Sequence, residues 1–223
     1  MAKLIVIDGI DGSGKATQSA KLQGALLQKG ERVKKISFPD YNAKSSTLVK
    51  MYLAGDFGSD ASLVNPYAVS TFYAVDRFAS FSLGWKQDYS SLGYIIADRY
   101  TTSNAIHQMS KLGEEEWEGF LRWLDDLEYG KFGLPRPEIT IYLDVDPEIC
   151  SGLLTKRCKE TGGACKDLHE RDTDYLENCR KAAIYAADKL GWKVITCCDE
   201  NGLLPEGIIA RRVSDVLVGN NIV

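Results

Sequence analysis

The sequence LIVIDGIDGSGKAT, residues 4–17, is the most informative segment about the fold. Its first four residues form an apolar run that predicts a buried strand, and a helical segment begins at Lys15 and ends before Gly30. Between the two elements, residues 9–15 fit the pattern G-x-x-x-x-G-K. Backbone N–H groups of such a loop bind phosphate oxygens, and the N-terminus of the following helix assists them. We therefore predict a phosphate-binding loop with the contact residues Gly9, Gly12, Ser13, Gly14, Lys15, Ala16 and Thr17.

The residue after the loop lysine departs from this pattern. Loops of this kind carry Ser or Thr there, whose hydroxyl binds Mg²⁺, whereas this chain has Ala16. Thr17 comes next, but one step along a helix is a rotation of ~100°, so its hydroxyl does not simply take the same place. The sequence thus predicts phosphate binding and leaves the magnesium ligands open: water, Thr17 after a local shift, or an acid elsewhere.

Strand-like and helix-like segments alternate along the rest of the chain. The predicted strands are short and rich in Ile, Val, Tyr or Leu, at residues 4–8, 33–38, 94–98, 139–144 and 193–197. The predicted helices lie between them. Four have both bounds, at 15–29, 44–53, 65–86 and 114–129; of the other three, one begins at 146, one ends near 191 and one begins at 204. This order predicts an α/β fold of three layers, in which helices flank a five-stranded parallel sheet, as one domain over residues 1–223.

Composition excludes several classes of protein. The chain has 223 residues and a net charge of −4, so it can bury a core but lacks the basic surface that non-specific nucleic-acid binding needs. It has no run of about 18 apolar residues, so we expect no membrane-spanning helix and no membrane partner. The first residues lead directly into the first strand without a signal peptide, which predicts a cytoplasmic protein.

A second motif follows the third predicted strand, at the sheet edge where ligands bind in open α/β folds. Asp98 and Arg99 stand there. An acid beside an arginine forms either a structural ion pair or, next to a phosphate-binding loop, a clamp for the phosphate of an acceptor molecule. The chain has no N-K-x-D motif for reading guanine. The combination indicates a small kinase that phosphorylates a metabolite.

Four motifs resemble those of the thymidylate kinases. They stand in the same order, and at approximately the same spacing, as in that family. They are residues 9–17 followed by Gln18, the pair Phe38-Pro39, residues 73–77, and residues 98–103, which read Asp-Arg-Tyr-x-x-Ser. The matching elements span nearly the whole chain. The resemblance implies a P-loop NTPase fold and transfer of a phosphoryl group from ATP, with Mg²⁺, to dTMP. It also implies a homodimer.

The resemblance assigns residues to the base of the acceptor. In the family a phenylalanine walls the base pocket, an aromatic residue stacks on thymine, and an arginine four positions later hydrogen-bonds O4 of the base. Phe38, Tyr73 and Arg77 stand at these positions, and the last two share one helix face. Tyr41 stands where some members carry an arginine, and Asn104 is a further candidate for contact with the base.

The resemblance also implies roles around the phosphates and the sugar. Asp11 would contact the sugar or phosphate of the acceptor, Asp98 would orient the acceptor or a metal-bound water, and Arg99 would bind the acceptor phosphate. Lys15 would reach the β- and γ-phosphates of ATP as a point charge. His107 stands where a tyrosine often screens the 2′ position of the sugar, which leaves strict selection of deoxyribose open.

Residues 156–172 are the candidate for a mobile lid. One subtype of the family has an arginine after the loop aspartate, and the other supplies cations from its lid; Gly12 places this chain with the second. Arg157 and Arg171 are the candidates for binding the transferred phosphoryl group. Further cations around this stretch are Lys156, Lys159 and Lys166. The alternative for the stretch, which centres on residues 161–164, is a plain surface loop.

Two other functions stay open at this point. Another P-loop kinase, acting on a different nucleoside monophosphate or on a deoxynucleoside, would have the same fold. Arg99 argues mildly against a nucleoside, which carries no phosphate for it to bind. A non-catalytic nucleotide-binding protein is the third hypothesis, and it depends on Ala16. Turnover that requires an acceptor separates the kinases from this last hypothesis.

Overall fold

Five strands form one parallel sheet in the computed structural model of the chain, which describes residues 1–58, 64–161 and 173–223, without the side chains of 158–161. The strands are β1 (Lys3–Asp8), β2 (Val33–Ser37), β3 (Tyr94–Asp98), β4 (Ile139–Asp144) and β5 (Lys193–Thr196). Their order in the sheet is β2-β3-β1-β4-β5, and neighbouring strands pair in parallel. The predicted sheet is confirmed, with strand ends that differ from the prediction by at most one residue.

The inner strands bury both of their faces. In β1, Leu4 and Val6 pack into one core, whereas Ile5 and Ile7 pack into the core on the opposite side. Strands of this kind read as continuous apolar runs because neither face meets water. Since all strands are parallel, their carboxyl ends meet at one edge of the sheet. Three inner strands end there in a buried carboxylate, namely Asp8, Asp98 and Asp144.

Helices cover the two faces of the sheet. They are α1 (Lys15–Gln28), α2 (Thr47–Ala54), α3 (Pro66–Ser80), α4 (Lys86–Ser91), α5 (Thr102–His107), α6 (Trp117–Asp125), α7 (Pro147–Thr161), α8 (Thr173–Leu190) and α9 (Glu206–Gly219). A small antiparallel hairpin of β6 (Cys198–Asp199) and β7 (Gly202–Leu203) follows the sheet. Helical turns of other types are Lys44–Ser46, Met109–Lys111 and Glu114–Glu116, which are 3-10, and Phe81–Trp85 and Asp126–Lys131, which are π.

The long helix predicted over 65–86 begins as expected and ends early. The Asn65 side chain accepts the Tyr67 N–H at 2.9 Å, and Pro66 occupies the first turn, where it needs no hydrogen-bond partner. The α-helical geometry ends at Ser80 and gives way to the π-helical turn. Trp85 closes this turn and is fully buried, in contact with neighbouring aromatic rings.

The sequence interpretation missed several short elements, among them α4, α5 and the two strands of the hairpin. Helix α5 has six residues and a polar start, so it offers too few turns for an apolar period to show. The strands of the hairpin have two residues each. The helix predicted over 114–129 consists of a 3-10 turn, α6 and a π turn. No helix in the described ranges combines the length and the apolar character that crossing a membrane requires; the cytoplasmic location stays a prediction.

Candidate active site

The predicted phosphate-binding loop connects β1 to α1, and its glycines meet a steric requirement. Gly12 has a φ of 86°, in the left-handed region, and a Cβ atom there would lie 2.7 Å from the carbonyl oxygen of Cys150 on α7. Gly14 has a φ of 83° and immediately precedes α1. Helix α7 therefore packs on the loop so closely that position 12 cannot carry an arginine in this backbone.

Lys15 begins α1 and points back over the loop. Its buried amine donates a hydrogen bond to the Ile10 carbonyl at 2.8 Å and lies 3.9 Å from a carboxylate oxygen of Asp11. Burial, together with the nearby Arg99 guanidinium, lowers the pKa of the amine. Ala16 and Thr17 follow on the exposed side of the first turn. The loop thus presents one buried cation at a helix N-terminus, which is an arrangement that binds anions.

Asp8 links the loop to α5. Its carboxylate accepts hydrogen bonds from the Gly9 N–H at 2.8 Å, from Thr102 Oγ1 at 2.6 Å and from Ser103 Oγ at 2.7 Å. Two loops that follow neighbouring strands are held together in this way. The carboxylate serves this structural purpose and was not among the predicted site residues.

Arg99 stands at the centre of a charged network above the loop. Its guanidinium pairs with Asp11, and its Nη1 donates to Nε2 of His107 at 3.1 Å. The residue has a φ of 66°, a left-handed conformation that costs a side-chain-bearing residue about 1 kcal/mol. The ion pair joins β3 to the phosphate-binding loop, so the structural pairing of Arg99 with its neighbour Asp98 is not the one that forms.

The hydrogen bonds fix the protonation states in this network. Because an arginine only donates, His107 accepts with Nε2 and carries its proton on Nδ1, which faces Tyr175 Oη at 3.3 Å. Burial of the ring lowers the pKa of His107 to about 4, so the ring is neutral. For Asp11, burial would raise the pKa, but Arg99, His107 and Lys15 outweigh it and lower the pKa well below its usual range.

A pocket opens beside this network at the carboxyl edge of the sheet. It is lined by Asp11, Phe38, Pro39, Tyr41, Tyr52, Leu53, Tyr73, Arg77, Arg99, Tyr100, Ser103, Asn104, His107, Gln108 and Tyr175. The eight residues that the sequence analysis assigned to binding the base, sugar and phosphate of the acceptor are among them, whereas Asp98, which was expected to orient the acceptor, is not. Three widely separated parts of the chain, the ends of β1, β2 and β3, contribute together with α3 and α5.

Arg77 and Asn104 are buried polar residues that line the pocket. The guanidinium of Arg77 donates to both carboxylate oxygens of Glu128, at 2.7 and 2.5 Å, and to the carbonyl of Tyr100 at 3.2 Å. Asn104 Nδ2 donates to the carbonyl of Ser70 and to Glu128 Oε1, both at 3.2 Å. Burial would lower the pKa of Arg77, but the charge of Glu128 outweighs it and raises the pKa.

Asp98 and the lid cations are placed differently. Asp98 ends β3 and is not among the residues that line the pocket; burial raises the pKa of its carboxyl, against the opposing effect of Lys15 and Arg99. Lys156 and Arg157 lie exposed on α7. The remaining lid predictions lie outside the described residues: Arg171 and Lys166 entirely, and Lys159 in its side chain.

Sequence reasoning missed three groups at this site: Glu128, Tyr175 and Asp8. Glu128 follows a row of acidic residues, and nothing in that row distinguishes the buried carboxylate from the exposed ones. Tyr175 stands four residues before Cys179 of the buried face of α8, so its spacing indicates core packing and does not distinguish it as a site residue. Asp8 had a signal, since a charged residue ended an otherwise apolar buried strand.

Together, the loop, its buried lysine and the arginine-containing pocket at the sheet edge are features of a P-loop phosphotransferase. Comparison with known proteins gives the family. The sequence model of the thymidylate kinases matches residues 7–202, and the chain belongs to that family. It is an ATP-dependent nucleoside monophosphate kinase that phosphorylates dTMP. The comparisons give no support to a different acceptor or to a non-catalytic role.

Individual relatives agree with this assignment. Thymidylate kinase of Mycobacterium tuberculosis is 32% identical over 186 residues, which cover 82% of this chain and 84% of the relative. Thymidylate kinase of Danio rerio is 25% identical over 194 residues, covering 86% and 81%. A solved thymidylate kinase from Candida albicans has the same fold, with a TM-score of 0.69 at 19% identity, over 99% of this chain and 93% of that one.

Proposed function

We propose that the pocket is the dTMP site, that the phosphate-binding loop holds ATP, and that the charged network between them is the place of phosphoryl transfer. The observation that carries this proposal is the position of Asp11. It belongs to the loop, lines the pocket and lies next to both cations, Lys15 and Arg99. An acceptor phosphate in the pocket therefore lies beside the loop that holds the donor.

Transfer in this arrangement needs charge stabilisation more than a base. The attacking oxygen belongs to a phosphate, which is already ionised near neutral pH, so catalysis consists of positioning and neutralising charge. Lys15 binds the donor phosphates. Arg99, which pairs with Asp11 of the loop, binds the acceptor phosphate and brings it towards the loop. The reaction converts ATP and dTMP into ADP and dTDP.

The residues present are compatible with Mg²⁺ bound to ATP. No cluster of three His, Cys, Asp or Glu side chains that could hold a metal occurs within the described part of the chain. Mg²⁺ on a nucleotide needs only one or two carboxylates besides phosphates and waters. Asp8 already accepts three hydrogen bonds, so Asp98 is the carboxylate that would hold the ion, directly or through water. When bound, the ion neutralises charge on the ATP phosphates.

The base and the sugar meet different walls of the pocket. Tyr73 and Phe38 offer aromatic faces for thymine, Tyr41 closes the pocket mouth, and Arg77 and Asn104 lie beneath with polar groups. His107 stands at the sugar side. Both of its ring nitrogens already have partners, Arg99 and Tyr175, so it has no free polar atom for a 2′-hydroxyl. This supports a preference for deoxyribose.

Two further features complete the proposal. Residues 156–172 act as a lid that brings Arg157 and Arg171 to the transferred phosphoryl group, which suits a loop whose position 12 has no room for an arginine. The enzyme acts as a homodimer. Apolar side chains on α3 and the following π turn face solvent in the single chain, and Leu83 is 90% exposed. An exposed apolar face of this kind is typical of an interface.

The roles of the cations are tested by steady-state ADP release. Lys15→Ala removes the charge on the donor phosphates and lowers kcat by ~10³-fold or more. Arg99→Gln raises KM for dTMP, because the acceptor phosphate loses its cation, and also lowers kcat. The matched control is Lys21→Ala, also on α1, whose amine pairs with Glu206 at the surface and leaves both constants unchanged. Wild-type kinetics in Lys15→Ala contradict the proposal.

A further inference from the structure

Glu128 is a buried carboxylate that the reaction itself does not use. Its side chain is 0% exposed, and it is not among the residues that line the pocket. It nevertheless contacts two residues that do line it. Both of its oxygens accept hydrogen bonds from Arg77, and Oε1 also accepts from Asn104. Burying a carboxylate is costly without such partners, so this position is held by specific contacts.

The orientation of the Asn104 amide follows from its neighbours. Nδ2 lies 3.2 Å from the carbonyl of Ser70 and 3.2 Å from Glu128 Oε1. Both neighbours are acceptors only, so the amide nitrogen faces them and Oδ1 is the atom left for another donor. Asn104 is buried and lines the pocket. It therefore offers a hydrogen-bond acceptor to the occupant of the pocket.

Arg77, in contrast to Asn104, offers hydrogen-bond donors to the pocket. A guanidinium has five N–H donors and no acceptor, and Glu128 and Tyr100 together take three of them here. The remaining donors belong to a side chain that lines the same pocket. Beside each other, Arg77 and Asn104 present a donor and an acceptor. Thymine carries the complement on one edge, with O4 as an acceptor and N3–H as a donor, whereas cytosine carries the reverse.

We propose that Glu128 is the positioning residue that selects the pyrimidine: it holds Arg77 as the donor and Asn104 as the acceptor that match thymine and mismatch cytosine. The inference rests on the proposed function, because it takes the pocket to be the dTMP site. Glu128 touches no substrate. Together with the Ser70 carbonyl, it excludes the flipped orientation of the Asn104 amide, which would place Nδ2 against N3–H, and it holds the guanidinium of Arg77 in place.

Glu128→Gln tests the inference with almost no change of shape. Both carboxylate oxygens accept from Arg77, and Oε1 also accepts from Asn104, so the single amide oxygen of glutamine cannot keep all of these hydrogen bonds. Whichever way the new amide turns, its NH₂ group meets an N–H of Arg77, so the donor and the acceptor of the pocket lose part of their positioning. We expect the ratio of kcat/KM for dTMP to that for dCMP to fall roughly tenfold or more, mainly through a higher KM for dTMP.

A double-mutant cycle separates this role from a general loss of order. In an Asn104→Ala background, Glu128→Gln should lower the dTMP to dCMP ratio by a smaller factor than in the wild type, because one of the two residues through which it acts is gone. Asp125→Asn is the matched control: it removes a carboxylate from the same helical region, where Asp125 pairs with the exposed Arg136, and leaves the ratio unchanged. A ratio that stays at the wild-type value in Glu128→Gln overturns the inference, and so does an equal fall in the Asn104→Ala background.

Glu128→Asp carries the same test if the glutamine variant does not fold. It keeps the charge that Arg77 needs, but its shorter side chain cannot satisfy Arg77 and Asn104 together, so the ratio should again fall. An unchanged ratio in a folded Glu128→Asp variant overturns the inference. Failure of the proposed function gives a different result, since Asn104→Ala alone would then leave the kinetic constants for dTMP unchanged.

Discussion

Arg77 and Arg136 both make bidentate ion pairs, and these two pairs differ mainly in burial. Arg77 and Glu128 are 1% and 0% exposed, whereas the side chains of Arg136 and Asp125 are 61% and 45% exposed. Donor–acceptor distances are similar in the two pairs, between 2.5 and 2.8 Å. Water screens the second pair and cannot reach the first, so the two pairs should contribute very differently to stability.

Removing one partner shows this difference. Arg77→Ala leaves the Glu128 carboxylate buried without its cation and should lower the free energy of unfolding by about 3–5 kcal/mol. Arg136→Ala leaves a carboxylate that water solvates and should cost about 1 kcal/mol or less. Urea denaturation at pH 7 measures both. Equal losses in the two variants would show that burial of the Arg77 pair has no energetic consequence.

His107 should give the protein a dependence on pH. Its pKa is lowered by burial to about 4, below the ordinary value of 6.5, so the unfolded chain binds the proton more readily than the folded one. Stability therefore falls as the pH decreases from 6.5 towards 4, by about 2–3 kcal/mol from this group. In His107→Gln this part of the decrease should be absent. Urea midpoints at pH 7 and pH 4.5 give the comparison, and an identical decrease in both proteins would rule out His107 as its source.

At this scale the sequence predicted the residue types of the site but not the pairs they form. Arg77 was assigned to the base because the resemblance to the family implies an arginine four positions after an aromatic residue, here Tyr73, and both side chains line the pocket. Its partner Glu128 lies 51 positions away, so the pair is decided by how α3 packs on the π turn after α6. Spacing along one helix carries no information about such a contact.

Among the elements, α7 packs closely on the phosphate-binding loop of the active site. Gly12→Ala adds a Cβ atom 2.7 Å from the Cys150 carbonyl, in a left-handed backbone. We expect it to lower the free energy of unfolding by about 2 kcal/mol more than Gly30→Ala does. Gly30 also has a positive φ, of 81°, but a Cβ atom there meets nothing within 4 Å. Thermal or urea unfolding measures both variants, and equal losses would mean that the loop moves away from α7 without cost.

The sequence predicted elements best where burial leaves a simple pattern. The inner strands are apolar on both faces, so their runs are unmistakable and their ends are correct to within a residue. Helix α5, which carries Asn104 and His107, has no such pattern, because its position depends on the hydrogen bonds of its first residues to Asp8. A tertiary contact of this kind follows from the strand order in the sheet and not from the local sequence.

At the scale of the whole molecule, one face exposes several large apolar side chains to solvent. Val75, Phe78 and Leu83 face solvent on α3 and the adjoining π turn. If this face joins two copies, Leu83→Glu should convert the dimer into monomers, because a carboxylate buried at the interface has no partner. Val218→Glu, on α9 and also exposed, is the matched control and should leave the dimer intact. Sedimentation equilibrium gives the masses; a Leu83→Glu variant that stays dimeric would place any interface elsewhere.

We propose that dTMP binds in this pocket, beside the loop that holds ATP. The decisive experiment compares kcat/KM among several acceptor substrates. ADP release should be measured with ATP and Mg²⁺ against dTMP, dUMP, UMP, dCMP, dGMP and thymidine. We predict that dTMP gives the highest kcat/KM, with dUMP lower by roughly 10–200-fold for its missing methyl group, and the others lower still. A higher kcat/KM for another acceptor, or ADP release that does not depend on any acceptor, would show that this pocket is not a dTMP site.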